Sequence, residues 1–179
     1  MSNYKRYFSN ISVPVFITFV TYNRRNILIQ NINLFKKSLK FVKEKYKLNI
    51  IAISVMKNHC HMILSVIDSK KIPNIIKDIK IYFSKNIPDN YISYDLSNSA
   101  LKRGEKGVWQ RRYYDHIIRN EQDLYKHIDY IHFNSMKHYN IVPKDWKYSS
   151  FIKYVRNGYY NIDWANLDDK NQIKFLNYE

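Results

Sequence analysis

Residues 49–66 read NIIAISVMKNHCHMILSV, and the way this stretch divides decides the fold. Residues 49–56 and 59–66 are rich in apolar and β-branched side chains and read as two strands. Lys57-Asn58 between them is short enough for a hairpin, with asparagine tolerating a positive φ. The period of two places His59, His61, Ile63 and Ser65 on one side of the second strand. Cys60, Met62, Leu64 and Val66 fall on the other. Two neutral imidazoles on one side form a chelating pair for divalent ions, although two ligands hold none of them tightly alone. The same pair would serve equally as two half-buried histidines making ordinary hydrogen bonds.

Working outward, residues 13–22 are β-branched and aromatic and read as a buried strand, followed by a basic turn at Asn23, Arg24 and Arg25. Ile32, Phe35, Leu39, Val42 and Tyr46 recur at spacings of three and four, one face of a helix whose other face carries Lys36, Lys37, Lys40, Lys43 and Lys45. Ile72, Ile75, Ile76, Ile79 and Phe83 mark a second helix, entered through Pro73. Residues 86–107 are polar and low in pattern and read as a long mobile loop. Residues 109–119 regain strand character. Asn120 then caps a third helix, with Glu121 and Asp123 favoured in its first turn by the helix dipole. Leu124, Ile128 and Ile131 give that helix its core stripe. The order strand, helix, strand, strand, helix, strand is the α+β, ferredoxin-like antiparallel pattern, with a further C-terminal helix and a wrapping tail. Residues 1–138 then make one domain, and 139–179 an extension packed on it.

Composition narrows the partner. Thirty Lys and Arg against fifteen Asp and Glu give a net charge of +15, which suits a polyanion such as nucleic acid. Seventeen tyrosines and three tryptophans add faces on which unpaired bases can stack. The single cysteine, Cys60, excludes an intrachain disulfide framework, fits a reducing compartment and reads as a buried, inert thiol. Residues 1–8 lack the apolar core of a signal peptide, and the apolar run 12–20 is too short to span a bilayer. These features read as a cytoplasmic protein without a membrane partner. Residues 163–179 reverse the charge trend, and such an acidic tail would shield a basic groove.

On the third helix, Tyr130 and Asn134 are four apart and share a face, which His127 joins three residues earlier. The amide oxygen of Asn134 could complete a metal shell begun by His59 and His61. Tyr130, one turn away, is a candidate nucleophile that needs a nearby cation or base, because an ordinary phenol titrates near pH 10. Spacing alone does not single it out among the tyrosines.

Resemblance does. Asn58-His59-Cys60-His61 looks like the HUH motif, histidine-hydrophobic-histidine, of single-tyrosine transposases. Residues 109–134, reading WQRRYYDHIIRNEQDLYKHIDYIHFN, resemble the second block of the REP-associated tyrosine transposases, a group within the IS200-like superfamily. Trp146-Lys147-Tyr148-Ser149-Ser150-Phe151, Gly158-Tyr159-Tyr160-Asn161-Ile162-Asp163-Trp164 and Tyr22-Asn23-Arg24-Arg25 are similar to further parts of that group, so most of the chain is covered. Ser135-Met136 stands where the group often has Pro-Val, and Lys57 replaces a common proline. The resemblance implies metal binding by His59, His61 and Asn134, with Mg²⁺ or Mn²⁺ as the ion. It implies Tyr130 as nucleophile, and as substrate single-stranded DNA, in hairpins or short palindromic repeats, cleaved and rejoined through a 5′-phosphotyrosine by a monomer or homodimer. Arg24, Arg25, Lys102, Arg103, Arg111, Arg112 and Arg119 suit a DNA track beside it. Two other readings stay open: a non-cleaving single-strand-binding descendant of the fold, and an HUH replication initiator or relaxase. An RNA-recognition module would want aromatics where His59-Cys60-His61 stands.

Overall fold

A computed structural model describes residues 12–165. Strands β1 (Pro14–Val20), β2 (Asn49–Val55), β3 (His59–Ser65) and β4 (Tyr114–Ile117) form one antiparallel sheet in the order β2-β3-β1-β4. Helices α1 (Ile32–Tyr46) and α2 (Ile72–Asn86) are the two crossovers of the ferredoxin-like pattern. The α+β arrangement expected from the sequence is therefore the one adopted, and the alternation of side chains sorts its two cores. Val15, Ile17, Phe19, Cys60, Met62 and Leu64 pack with Phe35, Leu39, Val42, Ile75, Ile76, Ile79 and Phe83 of α1 and α2. Phe16, Ala52 and Ile63 face the other way and pack with Ile128, Tyr130 and Ile131 of α4 (Glu121–Tyr139). Helices thus lie on both faces, with the histidine side turned toward α4.

Local chemistry accounts for the element ends. The Asn120 side chain accepts a hydrogen bond from the Asp123 amide at 2.8 Å, the N-cap that the sequence indicates. At the other end α4 runs through Ser135 and Met136, both buried, and stops at Asn140 in the left-handed region (φ 56°). The β2–β3 hairpin closes with Met56 N–H donating to His59 O at 2.8 Å. Asn58 is not among the positive-φ residues, contrary to the turn chemistry expected of it, because its side chain is held elsewhere.

Three segments carry more, or less, structure than their sequence suggested. Residues 86–107 are not a structureless loop: they hold a short helix, α3 (Asn98–Lys102), capped by Ser97, whose hydroxyl accepts from the Ala100 amide. The segment is pinned by the Arg25 guanidinium, which donates to Tyr91 O at 2.7 Å and Gly107 O at 2.5 Å. Gly107 sits at φ +58°, and a Cβ there would lie 2.6 Å from that of Ser93. In residues 109–119 the strand itself covers only Tyr114–Ile117, while Trp109 bridges to Thr21 and fills the α1/α2 core. Beyond residue 139 a helix that periodicity did not reveal, α5 (Phe151–Arg156), follows a segment lying along β2. There Val55 N–H donates to Tyr148 O and Ser150 N–H to Ile53 O, both at 2.9 Å. The extension so covers an edge strand that would otherwise present free backbone groups. No helix of the described residues is long and apolar enough to cross a membrane. The acidic tail lies outside the described residues beyond Ala165; within them Asp163 pairs with Lys144 at 2.6 Å.

A buried polar network ties α4 to this extension. The Tyr160 hydroxyl donates to Asp129 Oδ1 at 2.6 Å and meets His132 Nδ1 at 3.2 Å, while His132 Nε2 meets Ser150 Oγ at 2.8 Å. Burial pushes His132 down to about 3 and the Asp129 carboxyl upward. Tyr160→Phe keeps the ring and leaves both partners short of a bond, at a cost of about 2 kcal/mol. Urea unfolding should show that loss as a lower midpoint; an unchanged midpoint would mean the network contributes no stability.

Candidate active site

The sheet delivers two imidazoles to one buried spot. His59 and His61 are 3% and 1% exposed, with ring centroids 4.8 Å apart and planes nearly perpendicular. Across the β1–β3 ladder Thr18 pairs with His61, and its hydroxyl lies 2.7 Å from His61 Nδ1. Asn58 plays the matching part for the other ring. Its Nδ2 donates to Arg24 O at 3.1 Å, which turns Oδ1 toward His59 Nδ1 at 2.6 Å. A carboxamide oxygen only accepts, so His59 carries its proton on Nδ1 and presents the Nε2 lone pair. Burial is the main reason both histidines resist protonation, holding His59 at about 3 and His61 well below the ordinary range. His138 and Lys137 push both the same way. Both rings are thus neutral at pH 7, the form that ligates metals.

Helix α4 supplies the rest along a single row. Tyr130, Asn134 and His138 are spaced four and four, so they stack on one face. The Tyr130 ring is 1% exposed and stands 5.1 Å from that of His61, centroid to centroid. Lys137 Nζ lies 5.3 Å from the Tyr130 centroid, which places a cation beside the phenol ring. Asn134 Nδ2 donates to Tyr130 O at 2.6 Å, which leaves Oδ1 as the inward-facing atom. The His138 ring is 4.9 Å from that of His59, and ligand nitrogens of His59, His61 and His138 all lie within 4.8 Å of one another.

The chemistry of this donor set can be tested on its own bonds. Nε2 of His59, Nε2 of His61 and Oδ1 of Asn134 are buried and make no well-formed hydrogen bond among the described residues, the Asn134 side chain lying close enough to His61 to favour its protonated form slightly. Such atoms cost free energy unless something satisfies them. A divalent cation would satisfy all three at once, and the residues fit one. Each histidine's other nitrogen is engaged as well, by Thr18 or Asn58, which holds the ring in place.

Two of these residues were missed from sequence. His138 stands in the last turn, where a histidine is ordinarily explained by the helix dipole, yet it continues the Tyr130–Asn134 row by one more step of four, and that spacing is the signal that could have revealed it. Asn58 was read as a turn residue and acts through its side chain. His127, by contrast, is separated from the His59/His61 pair by Phe16, whose ring lies 4.8 Å from His127 and 5.8 Å from His61. Among the basic residues, Arg24 is near enough to His59 to disfavour its protonation. Arg25 is committed to the fold contacts above, and Arg103 pairs with Glu105 at 2.7 Å. Arg103 and Arg111 line a groove of about 900 Å³ between α2 and residues 103–113, together with Lys77, Lys80 and Lys106. Lys102, Arg112 and Arg119 are exposed.

Known proteins resemble this chain along most of its length. A protein of Haemophilus influenzae, named provisionally a REP-associated tyrosine transposase, is 33% identical over 171 residues, covering 94% of this chain and 96% of its own. The REP-associated tyrosine transposase of Escherichia coli K12 is 28% identical over 92% of both chains. A solved structure of a REP-associated tyrosine transposase bound to a REP hairpin superposes with a TM-score of 0.74 at 28% identity, again over 92% of both chains. The family model described as "Transposase IS200 like" matches residues 10–134, from the approach to β1 through Asn134. The chain belongs to the IS200-like transposase family.

Proposed function

We propose that this protein cleaves and rejoins single-stranded DNA at hairpins of the REP class, with Tyr130 as the nucleophile. The observation that carries the reading is the contact of the Tyr130 ring with His61, beside three buried ligand atoms that make no well-formed hydrogen bond among the described residues. The hairpin preference rests on the relative that is bound to a REP hairpin. On this reading residues 1–138 are the catalytic domain and 139–179 its extension.

His59, His61 and Asn134 would hold a divalent cation, Mg²⁺ or Mn²⁺, with His138 as a fourth donor. When bound, the cation supplies Lewis-acid polarisation of the scissile phosphate. The Tyr130 oxygen attacks phosphorus, and a tyrosyl–phosphate bond forms as the bond to the 3′ oxygen breaks. The phenolic proton leaves Tyr130 and is recovered, in net terms, on the departing 3′-hydroxyl. The product is a 5′-phosphotyrosine, and attack by another 3′-hydroxyl reverses the exchange without ATP. Lys137, over the Tyr130 ring, stabilises negative charge at the phenol and the phosphate. Because Tyr130 is 1% exposed, a phosphate reaches it only when the residues above it give way. Single strands suit that demand, since a stacked duplex cannot feed one phosphate into a buried site. The groove lined by Lys77, Lys80, Arg103, Lys106 and Arg111 offers a further basic surface for the strand.

Incubating labelled hairpin DNA with Mn²⁺ should yield a covalent adduct that resists denaturant. Tyr130→Phe should abolish the adduct while leaving hairpin affinity within about twofold; an adduct that survives the change would move the nucleophile elsewhere. Asn58→Ala should lower cleavage by about 10- to 100-fold through loss of the bond that orients His59, with more Mn²⁺ restoring part of the rate. Full cleavage at low Mn²⁺ in that variant would contradict the orienting role.

A further inference from the structure

A second cluster of ligand-type side chains lies outside the site just described. His116 on β4 and Asp123 and His127 in the first two turns of α4 bring their ligand atoms within 4.8 Å of one another. His116 Nε2 is 2.9 Å from Asp123 Oδ2, and His127 Nδ1 is 3.0 Å from Asp123 Oδ1. The two imidazoles lie with centroids 4.7 Å apart and planes 14° apart, each against one oxygen of the same carboxylate. Phe16 separates this group from the His59/His61 pair.

We propose that His116, Asp123 and His127 form a second divalent-cation site, distinct from the one beside Tyr130, that takes a borderline transition ion of the Zn²⁺ type. The donor set is two nitrogens and one carboxylate oxygen, which suits Zn²⁺ better than the oxygen-seeking Mg²⁺. Ion–ligand bonds of about 2.0–2.2 Å in a tetrahedral shell place ligand atoms roughly 3.4 Å apart. The present separations need to open by only a few tenths of an ångström where they are shortest. An ion there would replace the protons that now link the three groups, among them the one that His127 Nδ1 also shares with the Asp123 backbone oxygen at 2.8 Å. Burial already disfavours a charged His127, as ligation requires, and Asp123 is held in its ionised form by the Arg119 amide and His116. The side chains of His116 and Asp123 are 23% and 19% exposed, which gives an ion a path from solvent and leaves a coordination position for water.

The consequence is mechanical. The site would clasp β4 to the start of α4, and Asp123 lies seven residues, about 10 Å along a helix axis, from Tyr130. An ion in this clasp fixes the axial position of the nucleophile without touching substrate.

Zn²⁺ binding to the full-length protein, followed by isothermal titration and by metal content after dialysis, separates the two sites. The wild type should hold two ions per chain. The His59→Ala/His61→Ala/His138→Ala variant should keep one, and adding His116→Gln to it should weaken the remaining Zn²⁺ at least tenfold. Asp123 also accepts from the Arg119 amide at 3.0 Å, so Asp123→Asn could disturb the helix start; His116→Gln in the wild-type background is the independent check and should reduce two ions to one. A triple variant that folds by circular dichroism yet binds no Zn²⁺, or a His116→Gln protein that still binds two ions, would overturn the proposal and leave the cluster a hydrogen-bonded clamp only.

Discussion

The register of β1 against β3 is the constraint on which everything else in this molecule depends. With Thr18 opposite His61 and Val20 opposite His59, both imidazoles fall on the α4 face and Cys60 and Met62 on the α1/α2 face. A slip of one residue would turn one strand over against the other, sending the histidines into an apolar core if β3 moved or Phe19 toward α4 if β1 did. The slip is opposed on both faces at once, because Phe16 and Ile63 are as fully buried on one side as Ile17 and Met62 on the other. Each such side chain contributes roughly 1.5–3 kcal/mol on burial, so the register is held by packing far stronger than any bond the histidines make themselves.

That division of labour explains how a costly site persists. Two neutral, buried histidines and a buried carboxamide oxygen are a liability to the free fold, and their cost is borne by the two cores that flank them. Orientation is then set by inexpensive hydrogen bonds: Thr18 and Asn58 fix the rings, and the backbone oxygen of Tyr130 fixes Asn134. Tyr130 and Asn134 are linked through that last bond, so whatever shifts α4 shifts both together. The C-terminal extension adds to the same rigidity by sealing the β2 edge and gripping α4 through His132 and Asp129.

The parts of the fold that follow from periodicity were legible in the sequence. The two faces of β3, the stripes of α1 and α2, and the Asn120 cap are local properties, and the structure repeats them. What escaped was set by contacts distant in sequence or by elements too short to show a period. Helix α5 has six residues, fewer than two turns, and its apolar positions are chosen by β2 rather than by an amphipathic repeat. Residues 86–107 looked featureless because Arg25, from a different part of the chain, supplies what holds them. At the site the histidine pair and the Tyr130–Asn134 spacing were readable, but choosing Tyr130 among seventeen tyrosines required family resemblance. His138 was hidden by position: at a helix end, a histidine has an ordinary electrostatic explanation that masks its place on the Tyr130 row.

The most direct measurement of the account is to find where DNA is attached. Trypsin cuts after Lys126 and Lys137, releasing residues 127–137, a peptide whose single tyrosine is Tyr130. Tandem mass spectrometry of the digested hairpin adduct should find the nucleotide remnant on that peptide and on its tyrosine. A remnant carried by any other peptide of the chain would contradict the central claim that this helix brings the nucleophile to the histidine pair.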